Sequence, residues 1–220
     1  MKVIFVFAAL CLGTALAAQD CSQFYYLQNN KTVVMTMFNK KDKETGRVTY
    51  KMSDVKTAAG VTSSTVNSEM RDEKGKLLSS AVTKMQCSKG VFLCDMSLLI
   101  PPAQMEQLKS VEASSAIYLE YPNGMQTGDA LKDGNFSISG ANNMTLQVSI
   151  TERKVEAQET VTTPAGTWDC LRISSKQKLT TKIGAMGIPI TINPLEWFAP
   201  GVGVVKTETK MGKTELTSIQ

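Results

Sequence analysis

The sequence predicts a mostly β protein, a curved antiparallel sheet or open barrel with one short helix, and three observations carry that prediction. Met144, Leu146, Val148 and Ile150 alternate with Thr145, Gln147, Ser149 and Thr151, the period of a half-buried antiparallel strand. Segments rich in Val, Thr and Ser recur along the chain, and Gly, Asn and Asp clusters punctuate them at short intervals. A sheet with one polar face must bury the other by closing on itself, by packing on a second sheet, or by curling around a helix or ligand.

The chain opens on a different pattern. Met1-Lys2 is a short positive start, residues 3–12 are apolar, and Ala15-Leu16-Ala17-Ala18 supplies small residues at the cleavage spacing. This is the layout of a secretory signal peptide over residues 1–18, which leaves 19–220 as a single antiparallel β domain. Cys21 follows Gln19-Asp20, whereas a lipid-acceptor cysteine needs small residues before it. No later stretch approaches the ~20 apolar residues of a membrane helix, so the mature chain is not expected to span a membrane through helices.

The elements follow in order. Phe24 to Gln28 reads as a short first strand and Thr32 to Asn39 as a second. Lys41 to Gly46 is a polar turn, and Arg47 to Lys56 returns from it. Gly60 to Arg71 and Lys76 to Cys87 form a long hairpin around Asp72-Glu73-Lys74-Gly75. Pro101-Pro102 then precedes Ala103 to Lys109, all good helix formers. Proline suits the first helical position, which predicts two or three helical turns, a candidate plug or lid. Ala116 to Tyr121 alternates, with Ile117, Leu119 and Tyr121 on one side.

After the clean strand at 144–151, Glu152 to Thr162 reads as a further strand, turned back at Thr163-Pro164-Ala165-Gly166. In the return, Thr167 to Ile183, Leu171, Ile173, Leu179 and Ile183 share one face. Arg172, Lys176, Lys178 and Lys182 share the other, a solvated basic row with contact to an anionic surface as its alternative. Ile188 to Ile192 is a short strand interrupted by Pro189, and Pro194 to Gly201 an irregular aromatic loop. Val202 to Lys210 and Lys213 to Ile219 form a closing hairpin, for about twelve strands in all.

Composition narrows the chemistry. The chain has no histidine, which excludes Ser-His-Asp and Cys-His catalysis and histidine metal sites. Without Lys2 the mature chain keeps 23 of the 24 basic residues against 20 acidic ones. That small balance, spread along the chain, is not the footprint of a nucleic-acid binder. Ser53…Lys56 and Ser175…Lys178 match S-x-x-K, but in strands positions three apart point to opposite faces. Asp129 and Asp133 lack the ligand spacing of a calcium loop. Asn30, Asn135 and Asn143 begin glycosylation sequons that matter only in a eukaryotic secretory pathway. No motif implies a catalytic residue, a metal or a cofactor, and no feature sets an oligomeric state.

Four cysteines follow the signal: Cys21, Cys87, Cys94 and Cys170. An even number in an exported chain suggests two disulfides, and four cysteines allow three pairings. Cys87–Cys94 and Cys21–Cys170 are favoured, because Ser88 to Leu93 can turn back on itself while the second pair would hold the mature N-terminus on a late strand. Eleven of the 12 methionines follow the signal, as adaptable core filling or as an apolar pocket.

Two segments carry a resemblance. Thr162-Thr163-Pro164-Ala165-Gly166-Thr167-Trp168-Asp169-Cys170, with Glu196-Trp197-Phe198-Ala199-Pro200-Gly201-Val202-Gly203-Val204-Val205-Lys206, resembles the TapB-like family of exported bacterial β proteins without assigned function. Its signature is a PAGxFxC hairpin followed by WYAPGVGxVK; here Trp168 and Phe198 replace the usual Phe and Tyr. The resemblance covers the last third of the chain. It implies a fold similar to lipoprotein carriers and export to the periplasm or surface of a Gram-negative cell, and it transfers no catalytic residue. Pro164 and Gly166 suit a tight hairpin, and Trp197, Phe198 and Trp168 are the candidate ligand mouth.

The leading functional reading is a non-enzymatic envelope protein that binds or carries an apolar small molecule or lipid. Its alternatives are a structural or protein-interaction module and a histidine-free hydrolase acting through carboxylates.

Overall fold

A computed structural model describes residues 21–96, 118–139, 144–183 and 186–220. The signal segment and the helix expected after Pro102 lie outside the described residues. Among the described residues thirteen strands form one antiparallel sheet: β1 (Thr32–Asn39), β2 (Glu44–Ala58), β3 (Val61–Asp72), β4 (Leu77–Ser88), β5 (Val91–Asp95), β6 (Tyr118–Pro122), β7 (Gly134–Ser139), β8 (Met144–Thr163), β9 (Gly166–Ile183), β10 (Met186–Ile192), β11 (Leu195–Ala199), β12 (Gly203–Thr209) and β13 (Gly212–Ile219). Their order is β6-β5-β4-β3-β2-β1-β13-β12-β11-β9-β8-β7, with β10 beside the outer half of β9. The chain starts mid-sheet, meanders to one edge, crosses to the other and returns until β13 pairs β1. The result is a nearly closed barrel.

At the seam, two side-chain links join β6 to the segment leading into β7: Lys132 pairs with Glu120 at 2.6 Å, and Arg153 bridges the same two residues through their carbonyls. Arg153, 2% exposed, donates from Nη1 to the carbonyls of Glu120 (3.1 Å) and Lys132 (2.9 Å). The alternation of 144–150, continued, would send Arg153 outward. Glu152 instead adopts a φ of 55°, and the β8–β9 register shifts between Thr151 and Lys154. Such a bulge inserts one residue and reverses the faces beyond it, so Arg153 and Val155 point inward. The two strands expected at 144–151 and 152–162 are therefore one strand, β8, whose register on β9 shifts here and again between Val155 and Ala157.

The N-terminal segment is not the strand expected at Phe24 to Gln28. Cys21–Gln23 and Tyr25–Leu27 are single 3₁₀ turns that plug the barrel. Phe24, Tyr26 and Leu27 are all buried. The Tyr25 N–H donates to the Gly201 carbonyl at 2.9 Å, and the Ser64 hydroxyl donates to the Tyr26 carbonyl at 2.5 Å. A plug has no ladder partner, so its amides turn to local 3₁₀ bonds and to whatever wall groups they meet. The expected aromatic loop at 194–201 likewise contains a strand, β11, paired on both edges.

Cysteine pairing corrects the expectation as well. Cys21 is bonded to Cys87, 66 residues away, while Cys94 and Cys170 are free thiols. Cys94 faces inward beside Phe92 on a strand leaving the β4–β5 turn, so it does not fold back on Cys87. Cys170 lies buried on β9, and with Cys21 taken by Cys87 it keeps its thiol. In the chain-entropy model a loop of this length contributes about 4 kcal/mol, and it ties the plug to β4. Among the described residues five methionines (Met35, Met52, Met85, Met96 and Met125) are buried in the core, the gap-filling role.

Candidate functional site

The barrel interior at the plug is aromatic. Phe24 stacks on Phe92 with centroids 4.6 Å apart, and Tyr121 stacks on Phe198 at 4.7 Å. Phe92 bridges the two pairs, 6.4 Å from Tyr121 and 6.5 Å from Phe198. Strand alternation places Phe92 on β5, Tyr121 on β6 and Phe198 on β11 on the inner face, and the plug delivers Phe24 among them. Offset aromatic pairs of this kind add to plain area burial.

A polar cluster adjoins the rings. The Tyr121 hydroxyl donates to Glu196 Oε2 at 3.0 Å, and the Arg153 guanidinium sits 4.9 Å from the Tyr121 ring centre. Burial raises the Glu196 carboxyl above its ordinary range, against the opposing pull of Arg153 and the Tyr121 bond. Burial, then the Glu196 charge, raises the Tyr121 hydroxyl. Cys94 lies in the same electrostatic neighbourhood, its thiol pushed up to about 12 by burial first and the charges of Glu196 and Asp95 next. A thiol so held is protonated at neutral pH and a poor nucleophile. Neither Glu196 nor Arg153 is a candidate from the sequence: Glu196 falls in a stretch that reads as an irregular loop, so the parity it shares with Phe198 gives no signal, and Arg153 follows a bulge, which leaves no pattern in sequence.

Beside Phe24 lies a cavity of about 200 Å³. Phe24, Met125, Leu171 and Phe198 supply apolar wall, and Asn123, Gln158 and Asp169 polar groups. Cys170 also borders it, its thiol pushed up to about 11, mainly by burial.

The candidate mouth residues are not brought together. Phe198 borders the cavity, but Trp197, its neighbour on a strand, points to the opposite face. There Trp197 donates to Glu159 Oε1 at 2.5 Å and carries Lys206 at 4.6 Å over its ring. Trp168 caps the β8–β9 turn, donating to Thr163 Oγ1 at 3.1 Å. Its ring lies where a Cβ on Gly166 would come within 3.2 Å. The second motif is explained the same way. Gly203, at φ 118°, faces Tyr26, whose ring lies 3.1 Å from where a Cβ would stand. Gly203 of this motif therefore makes room for the plug.

Among the described residues no group of three or more Cys, Asp or Glu side chains could hold a metal ion, and no helix is long and apolar enough to cross a membrane.

Comparison with known proteins adds the fold's relatives. Residues 28–220 match the model of the DUF3108-like family. The crystal structure of a lipoprotein candidate from Parabacteroides distasonis superposes with a TM-score of 0.73 at 21% identity, over 88% of this chain and 96% of that one. A candidate exported protein of YmcC-like fold from Bacteroides fragilis superposes at 0.70 with 23% identity, over the same shares. No curated protein matches the chain. These likenesses bear out the barrel-like, lipoprotein-type fold; the match does not extend to the TapB-like label.

Proposed function

The chain belongs to the DUF3108-like family, and from that premise we propose that it is an exported envelope protein that binds the apolar end of a small molecule or acyl chain. The observation that carries this reading is the cavity beside Phe24. It is about 200 Å³, below the usual range for drug-sized ligands, ~300–1,000 Å³. It therefore suits one short apolar chain rather than a whole lipid. Gln158 and Asp169 would meet the polar end of such a molecule. The disulfide, the lipoprotein and exported names of the structural relatives, and the cleavable layout of residues 1–18 support residence in an oxidising compartment outside the cytoplasm. The absence of histidine supports a binding role over catalysis.

The test is displacement of a fluorescent apolar probe, 1-anilinonaphthalene-8-sulfonate, by decanol, in the wild type and in Met125→Trp, which fills the cavity. Thermal melts identify any variant that fails to fold, and Leu171→Phe serves as a second filling variant. Saturable probe binding, displaced by decanol and weakened at least tenfold by filling, is expected. No saturable binding, or binding unchanged in the filled variants, overturns the reading.

A further inference from the structure

The outer part of β8, β9 and β10, with β7 along its edge, forms an arm with a composition of its own. Leu195 of β11 pairs with both Ser174 of β9 and Glu208 of β12. β9 continues nine residues past that level to Ile183, a further ~30 Å of strand at ~3.3 Å per residue. Beyond Ser174 its flank is taken by β10 alone, whose far edge has no strand partner among the described residues.

Two observations distinguish the arm. The first is its side chains. Met186, Ile188 and Ile190 alternate along β10, so they share a face, and they are 78%, 71% and 51% exposed. Three large apolar residues in a row on a solvated face need a reason, unlike one. The second is its charge. Residues 134–151 carry no charged side chain, and residues 173–195 carry only Lys176, Lys178 and Lys182. The chain holds 20 acidic residues, yet none falls in either stretch. Lys182 runs its stem along the backbone of Gly187, where a Cβ would lie 3.4 Å from its Cγ. The stem thus crosses β10 on the face opposite Met186, Ile188 and Ile190, and the side chain is exposed, free to extend its ammonium as basic side chains do at a membrane interface. On the same outer face Lys178 borders a groove that also takes in Asn135, Ser137, Gln147, Ser149 and Thr180, an ammonium set among hydroxyls and amides.

We infer that the free β10 edge of the β9–β10 hairpin docks edge-on on an anionic lipid bilayer, with Met186, Ile188 and Ile190 entering the interface from one face and Lys178 and Lys182, on the opposite face of the adjoining β9, reaching the headgroups. Charge selects the partner. An acid-free basic arm is attracted by anionic headgroups, and an apolar row gains by leaving water. Pairing with a second copy through the β10 edge is opposed by Pro189, which withholds an edge amide. The inference stands apart from the cavity, which borders the plug, and neither requires the other.

Vesicle co-sedimentation tests it, using the full mature chain with phosphatidylcholine vesicles and with vesicles containing one-third phosphatidylglycerol. Binding to the second and not the first, weakening as salt rises, is expected. Ile188→Asp with Ile190→Asp should weaken binding at least tenfold, and Lys178→Gln with Lys182→Gln several-fold with a shallower salt dependence. All four positions are exposed or at a solvated edge, and equal melting temperatures certify the folds. Equal binding to both vesicles, no binding to either, or unchanged binding by the variants overturns the inference. So does a dimer of the wild type in sedimentation that Ile188→Asp converts to monomer.

Discussion

The plugged interior and the β9–β10 arm are built from the same alternating pattern and end differently. Leu179 and Ile190 are directly opposed in the ladder and so share a face, yet Leu179 is 8% exposed and Ile190 51%. Around the plug, every inward position meets something: Phe92 meets Phe24, Phe198 meets Tyr121, and even the polar Glu196 meets a hydroxyl. Alternation decides which side chains share a face. Whether that face becomes core is decided by what lies across from it, which is why a sheet needs a second layer, closure or a partner.

Substitution measures that difference, and the largest effect belongs to the seam. Arg153→Ala strands the carbonyls of Glu120 and Lys132 and removes the counter-charge of Glu196. Losing one member of a buried charged network costs about 3–5 kcal/mol, read as a lower urea midpoint. A loss under about 1 kcal/mol would mean that the barrel closes without this side chain.

Glu196→Gln comes next and is read against pH. Burial, the leading cause, sets the folded carboxyl above its ordinary 4.5, so the folded protein holds this proton more tightly than the unfolded chain. That contribution is fully present below about pH 4.5 and is lost as pH rises through the folded value. The amide does not titrate. The melting temperature of Glu196→Gln should therefore gain on the wild type between pH 4 and pH 7. A melting temperature of Glu196→Gln that loses ground to the wild type over that range would place the carboxylate's pairing with Arg153 above its burial.

The smallest effect belongs to the arm. Ile190→Ser should move stability by no more than about 0.5 kcal/mol, as at exposed positions generally. A larger loss would mean that the apolar row of β10 is covered in the folded chain, and the contrast between the two regions would close.

Most strands could be read from the chain because their signature is local. Thr32–Asn39 is found as expected, and the β3–β4 and β12–β13 hairpins lie where their turns predicted. The misreadings share one cause. Phe24 to Gln28 has strand-like residues but no ladder partner, so it became a plug. Residues 195–199 looked irregular because Pro194 and Pro200 flank them, yet β9 and β12 pair the stretch between. Of the candidate mouth, Phe198 borders the cavity, Trp197 lies on the far face and Trp168 caps a turn. Sequence adjacency brought Trp197 and Phe198 together only as text, since neighbours on a strand face apart.

By itself the chain determined the antiparallel β class, the two-faced character of its strands, the tight β8–β9 turn and the exclusion of histidine chemistry. These are properties of residue type and short spacing, which act before any distant contact forms. Tertiary structure decided the partner of Cys21, the inward turn of Arg153, the plug and the exposure of β10. Each depends on which distant segment arrives opposite, and one extra residue at Glu152 is enough to exchange the inside of a strand for its outside.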